Sequence, residues 1–115
     1  MTKHELYDLG SLTEMVGEGE GLQKMVAVFV ESTPKTLAEL NENFRAKNYE
    51  MLAKNAHKMK ASLDMMKIGS LYDVIRQIDK PEKIDLNLNE LGVIVARINE
   101  VVDEVIGDLK VNYSL

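Results

Sequence analysis

The stretch Leu52-Ala53-Lys54-Asn55-Ala56-His57-Lys58-Met59-Lys60-Ala61-Ser62-Leu63-Asp64-Met65-Met66 decides the fold. Its apolar residues Leu52, Ala56, Met59, Leu63 and Met66 recur every three or four positions. At about 100° per residue they fall within an arc of about 90°, the stripe of a helix that buries one face. A half-buried strand would alternate with period two, and this run does not. Ala, Leu, Met and Lys are good helix formers, and neither glycine nor proline interrupts them. A helix is expected over 47–66, with Gly69 marking the turn that follows.

Upstream, Leu22, Met25, Val26 and Phe29 repeat the pattern, and the same face resumes at Leu37, Leu40 and Phe44. Ser32-Thr33-Pro34 stands between the two halves. Proline removes a backbone donor and crowds the preceding turn, so the segment reads as one long kinked helix. Before it, Leu6, Leu9, Leu12, Met15 and Val16 suit a short helix capped by Ser11 and closed by Gly17-Glu18-Gly19-Glu20-Gly21. Those glycines do not form a nucleotide loop. No Gly-Lys-Ser or Gly-Lys-Thr follows them, and the glutamates would repel phosphate.

Downstream, Ile68, Leu71, Ile75 and Ile78 predict a third helix that stops before Pro81. A fourth starts near Asn87, where Asn87 and Glu90 form a pair like a capping box. Its stripe is Leu91, Ile94, Val95, Ile98, Val102, Val105 and Leu109. The β-branched residues would also suit a strand, but the helical period holds over more than about 15 residues. The expected architecture is all-α: an antiparallel four-helix bundle with a short extra N-terminal helix, forming one domain over 1–115.

Composition narrows the function. The 45% hydrophobic content supports a packed core in a chain of 115 residues. A net charge of −5 argues against nucleic acid as the main partner, because phosphate neutralisation needs clustered Lys and Arg. The absence of cysteine excludes disulfides and thiolate chemistry. No apolar run approaches the roughly 18–20 residues that span a bilayer, and the opening residues lack the apolar stretch of a signal peptide. The expectation is a soluble cytoplasmic protein with no membrane partner. The seven methionines read as core filler, and the tail Val111-Asn112-Tyr113-Ser114-Leu115 has no assigned role.

The chain has two histidines, His4 near the start and His57 on the central helix. His57 falls about 140° from the centre of the apolar stripe and is expected to face outward. Ala53 and Ala61, one turn either side, leave room for another protein to approach the ring. Lys60 lies three residues on, on an adjoining face, where an ammonium could steady an anionic group. A neutral imidazole is a competent nucleophile. Histidines on polar helix faces are most often merely solvated. No second histidine, paired carboxylate or HExxH pattern at metal-binding spacing accompanies this one.

The run Ala56-His57-Lys58-Met59-Lys60-Ala61-Ser62 resembles the histidine-containing phosphotransfer (HPt) domain, whose central helix reads approximately Ala-His-x-Leu-Lys-Gly-Ser. Phe29-Val30-Glu31-Ser32-Thr33-Pro34, with Leu37 and Leu40, is similar to the family's helix-Pro-helix segment. Leu71 and Ile78 fit its next helix, and the resemblance spans roughly residues 11–109. It implies that His57 is phosphorylated, that Lys60 supports the phosphoryl group, and that Ala53, Lys54, Ala61 and Asp64 help to dock a partner, with Leu12 and Met15 at the edge of that surface. The implied partners are response-regulator receiver domains or a hybrid sensor histidine kinase. The chain would be a carrier with no kinase activity and no cofactor of its own, Mg²⁺ belonging to the partner receiver. A monomer is expected on separate grounds, because the one apolar stripe of each helix is used up inside the bundle.

Two positions depart from the family pattern. Ala61 replaces a usual glycine, and Lys67 stands where the family tends to place glycine near the helix end. They keep a second reading open, an HPt-like interaction module that binds receivers without carrying phosphate. A third reading is an ordinary helical subunit whose histidine is incidental.

Overall fold

Residues 20–45 form one continuous helix despite the proline at position 34. The structure, a computed structural model, describes residues 6–115. Among these it holds α1 (Gly10–Val16), α2 (Glu20–Arg45), α3 (Tyr49–Met65), α4 (Tyr72–Arg76), α5 (Pro81–Leu86) and α6 (Leu91–Asn112), with 3₁₀ turns at Gly69–Leu71 and Leu88–Glu90 and no strand. The all-α expectation holds. The 26 residues of α2 span about 39 Å at 1.5 Å per residue, which accounts for most of the 43 Å long axis of the molecule.

The expected stripes are the observed core. Leu52, Ala56, Met59, Leu63 and Met66 are all buried, as are Leu91, Ile94, Val95, Ile98, Val102, Val105 and Leu109. Leu22, Val26, Phe29, Leu37 and Leu40 meet them from α2, with Met25 and Phe44 at the margin. The core follows the helical period because only that face can be withdrawn from water while the backbone stays hydrogen-bonded within each helix.

Chain reversal between α2 and α3 takes three residues, 46–48. Lys47 adopts a left-handed φ of 59°, and the amides of Lys47 and Asn48 donate to the carbonyls of Phe44 and Asn43. This closes α2 in a Schellman turn. Asn48 then caps α3, its Oδ1 accepting from the Met51 amide at 3.3 Å. The helices run antiparallel, since Asn43 donates to Asn55 near the turn while Phe29 and Met66 border one cleft at the far end. On the other flank of α2, Asn41 and Asn99 of α6 exchange a reciprocal pair of 2.8 Å hydrogen bonds. No buried side-chain nitrogen or oxygen among the described residues lacks a partner.

Several local expectations are corrected. Ser11 does not cap α1, which starts at Gly10 with Leu9 in the cap position, two residues earlier than expected. Asp8 Oδ1 accepts from the Gly10 amide at 2.8 Å and satisfies a free donor there instead. The break after α1 falls at Gly17, whose φ is 80°. α2 begins within the glycine run, and Gly21 lies so close to the Val16 carbonyl that a Cβ would sit 2.7 Å from its oxygen.

Lys67, not Gly69, supplies the left-handed residue after α3. Its φ is 52°, and the Lys67 and Ile68 amides donate to Asp64 and Leu63 as in the turn after α2. The expected third helix is short: it carries Leu71 in its opening 3₁₀ turn and Ile75, and ends at Arg76, leaving Ile78 in the bend beyond it. Residues 69–86 form a 3₁₀ turn, the short α4, a bend and α5. Lys80 is extended, as a residue before proline prefers, and Pro81 starts a helix at N1 rather than stopping one. Asn87 does not cap the last helix. Its side-chain nitrogen Nδ2 donates to the carbonyls of Gln77, just after α4, and of Lys83 in α5.

The C-terminal tail is also ordered into the fold. α6 runs to Asn112, and Tyr113 packs against the core. Tyr7 donates to Asp108 Oδ2 at 2.5 Å. Asn112 donates to that same oxygen at 3.0 Å and to the Tyr7 hydroxyl at 3.2 Å. Burial and the Asp108 carboxylate together push the Tyr7 hydroxyl up to about 12. The described residues contain no helix long and apolar enough to cross a membrane.

Candidate functional site

α3 is buried on more than its apolar stripe. Asn55 on one side and Ala53 on the other are also withdrawn from solvent, which widens the covered arc to about 160° on the helical wheel. On the Ala53 side, α5 packs against α3, and Asp79 and Pro81, before and at its start, stand beside Ala53. Ala53 is only 2% exposed. It was expected as an open docking residue, and the reason for the difference is α5, a helix that the sequence reading did not anticipate.

His57 lies just beyond the rim of this covered arc and is exposed. No hydrogen bond or ion pair engages its ring among the described residues. It lines an open recess of about 250 Å³ with Glu50, Ala53, Lys54, Asp79 and Pro81. The ring therefore borders a notch formed where α5 begins, rather than a flat helix face. Lys54 and Ala61 are exposed on the same side of α3.

Lys60 is engaged. Its Nζ donates to Asp79 Oδ2 at 2.9 Å. Lys83 donates to the other oxygen, Oδ1, also at 2.9 Å, and to the Arg76 carbonyl at 3.0 Å. The Asp79 side chain is 3% exposed. Burial pushes its carboxyl upward, but the hydrogen bonds from Lys83 and Lys60 outweigh burial and hold it below the usual carboxylate range. Asp79 and Lys83 were not foreseen in the sequence. Their i,i+4 spacing was the available signal, and it straddles Pro81, where no helix was expected.

Asp64 is also taken. Arg76 grips it through two nitrogens, at 2.6 and 3.2 Å, and stacks over the Tyr72 ring at 3.7 Å from its centroid. The hydrogen bond to Asp64 raises the Arg76 pKa above its ordinary value. This cluster borders a larger recess of about 430 Å³ reaching Lys67 and Gly69, separate from the one at His57. Leu12, placed at the edge of the docking surface, is instead core at 1% exposure, whereas Met15 is 71% exposed. His4 lies outside the described residues.

Taken together, the arrangement offers one free imidazole, a fixed ammonium whose carboxylate partner shares the recess, and two small neighbours. No group of acidic or histidine side chains able to hold a metal occurs among the described residues. No family model matches the chain, and no curated protein or solved structure matches it either.

Proposed function

We propose that this chain is a histidine phosphotransfer protein of a multistep phosphorelay, carrying a phosphoryl group on His57 between the aspartates of receiver domains. On this reading α2, α3 and α6 are three sides of a four-helix bundle, and α4 with α5 supplies the broken fourth side. The observation that carries the proposal is the free, exposed imidazole at the rim of a long helix, within the motif that resembles the family's. The chain acts as a cytoplasmic, monomeric carrier and has no kinase activity of its own.

The chemistry is an in-line displacement. The lone pair on the imidazole nitrogen attacks phosphorus of the receiver's aspartyl phosphate. The N–P bond forms, the acyl O–P bond breaks, and the electron pair leaves on the aspartate. The reverse reaction passes the group to a second receiver. Negative charge that develops on the departing aspartate oxygen is stabilised mainly by the partner's metal ion and lysine. This chain contributes position, because α3, packed against α2, α4 and α5, presents His57 from a rigid helix.

A second reading, receiver binding without phosphate, draws support from the engagement of Lys60 by Asp79, which occupies the cation expected to serve the phosphoryl group. Incubation with phosphorylated receivers separates the two. The carrier reading expects acid-labile, alkali-stable phosphate on the chain and none on His57→Gln. Binding without label selects the second reading.

A further inference from the structure

Asp79 has no place in the chemistry above, yet it is one of the residues that line the recess beside His57. An anion there opposes a dianionic phosphoryl group on His57 unless its charge is neutralised. Lys60 and Lys83 neutralise it, one on each oxygen. Lys60 is the residue three positions from His57 on the same helix, and its side chain is 27% exposed. An ammonium carries three donors, so one bond to Asp79 leaves two.

We infer that Asp79 is a positioning residue that restrains Lys60 and thereby sets the lifetime of a phosphoryl group on His57. This rests on His57 being a phosphoryl acceptor. Lys60 is shared: held by Asp79 when His57 is bare, and divided between Asp79 and the phosphoryl oxygens when it is loaded. Loss of the phosphoryl group to water proceeds through a loose transition state. Its oxygens surrender negative charge on the way, so a cation bound to them favours the loaded ground state and slows hydrolysis. By competing for Lys60, Asp79 keeps the N–P bond labile enough to pass the group on. Lys83 moderates the competition by satisfying the other carboxylate oxygen.

The test needs no receiver. Phosphoramidate transfers its phosphoryl group to imidazole nitrogen as ammonia leaves, and hydrolysis then returns inorganic phosphate and free imidazole. In a His4→Gln background only His57 can be loaded, and ³¹P NMR follows the decay. Asp79→Asn is expected to lengthen the half-life by about threefold or more. In a Lys60→Ala background the same change is expected to have no effect. Lys83→Met, at a partly exposed position, is expected to shorten the half-life by throwing Asp79 wholly onto Lys60.

An unchanged half-life in a folded Asp79→Asn variant overturns the inference. So does an equal effect with and without Lys60, because Asp79 would then act through its own field. If Asp79→Asn does not fold, a Lys83→Met half-life equal to the parent's overturns it. Failure of phosphoramidate to load His57 removes both this inference and the carrier reading. Failure of receivers alone to label the chain removes only the carrier reading, since the half-life pattern is read without them.

Discussion

Lys60 of α3 and Asp79, at the threshold of α5, form a 2.9 Å ion pair whose carboxylate is almost wholly enclosed. The pair ties the helix that bears His57 to the segment that forms the other wall of its recess. A buried carboxylate with a single cation would be poorly compensated. With Lys83 on its second oxygen, both of its acceptor oxygens are used.

This pair makes acid stability depend on Asp79. Its folded-state pKa lies below the ordinary value. Such a group adds stability that is present above the unfolded pKa of about 3.9 and is lost as pH falls from there through the folded value. Thermal melts followed by circular dichroism should show the parent's Tm dropping more steeply below about pH 4 than that of Asp79→Asn. Parallel curves would mean that the ion pair contributes nothing to folding.

The sign is opposite at Tyr7. Its pKa is raised to about 12, so the stabilisation is complete below the ordinary tyrosine value of about 10 and fades as pH rises through the folded value. Tyr7→Phe should lose this alkaline sensitivity. At neutral pH it should cost about 1–2 kcal/mol through the hydrogen bond to Asp108. Urea titrations at neutral and alkaline pH measure both effects.

Lys67 holds a left-handed conformation that favours glycine. Lys67→Gly should raise stability by about 1 kcal/mol, because the Cβ penalty outweighs the extra chain entropy of glycine at such a site. A lower denaturation midpoint for this variant would contradict the account of the turn after α3.

Ala61 is exposed one turn beyond His57. Ala61→Glu should leave the stability nearly unchanged, within about 0.5 kcal/mol, and should block transfer from a phosphorylated receiver by placing bulk and negative charge on the docking face. Unimpaired transfer would move the docking face elsewhere on α3.

The all-helical class was legible because burial on a helix leaves a period in the sequence. Every residue of the stripe from Leu52 to Met66 is core, and the outward position of His57 followed from the same wheel. The region from Gly69 to Glu90 was not legible. α4 and α5 have five and six residues, too few to display a period, and Pro81 can either end or open a helix. Missing α5 made Ala53 look accessible and left Lys60 looking free.

The sequence alone determined which face of each long helix is buried and that the imidazole of His57 points away from the core, because both depend only on rotation about one helix axis. The partners of Lys60 and Asp64, the cover over Ala53 and the recess beside His57 were decided by tertiary structure. Each depends on where residues about 12 to 28 positions away in the chain return to α3, and helical periodicity places no residue outside its own helix.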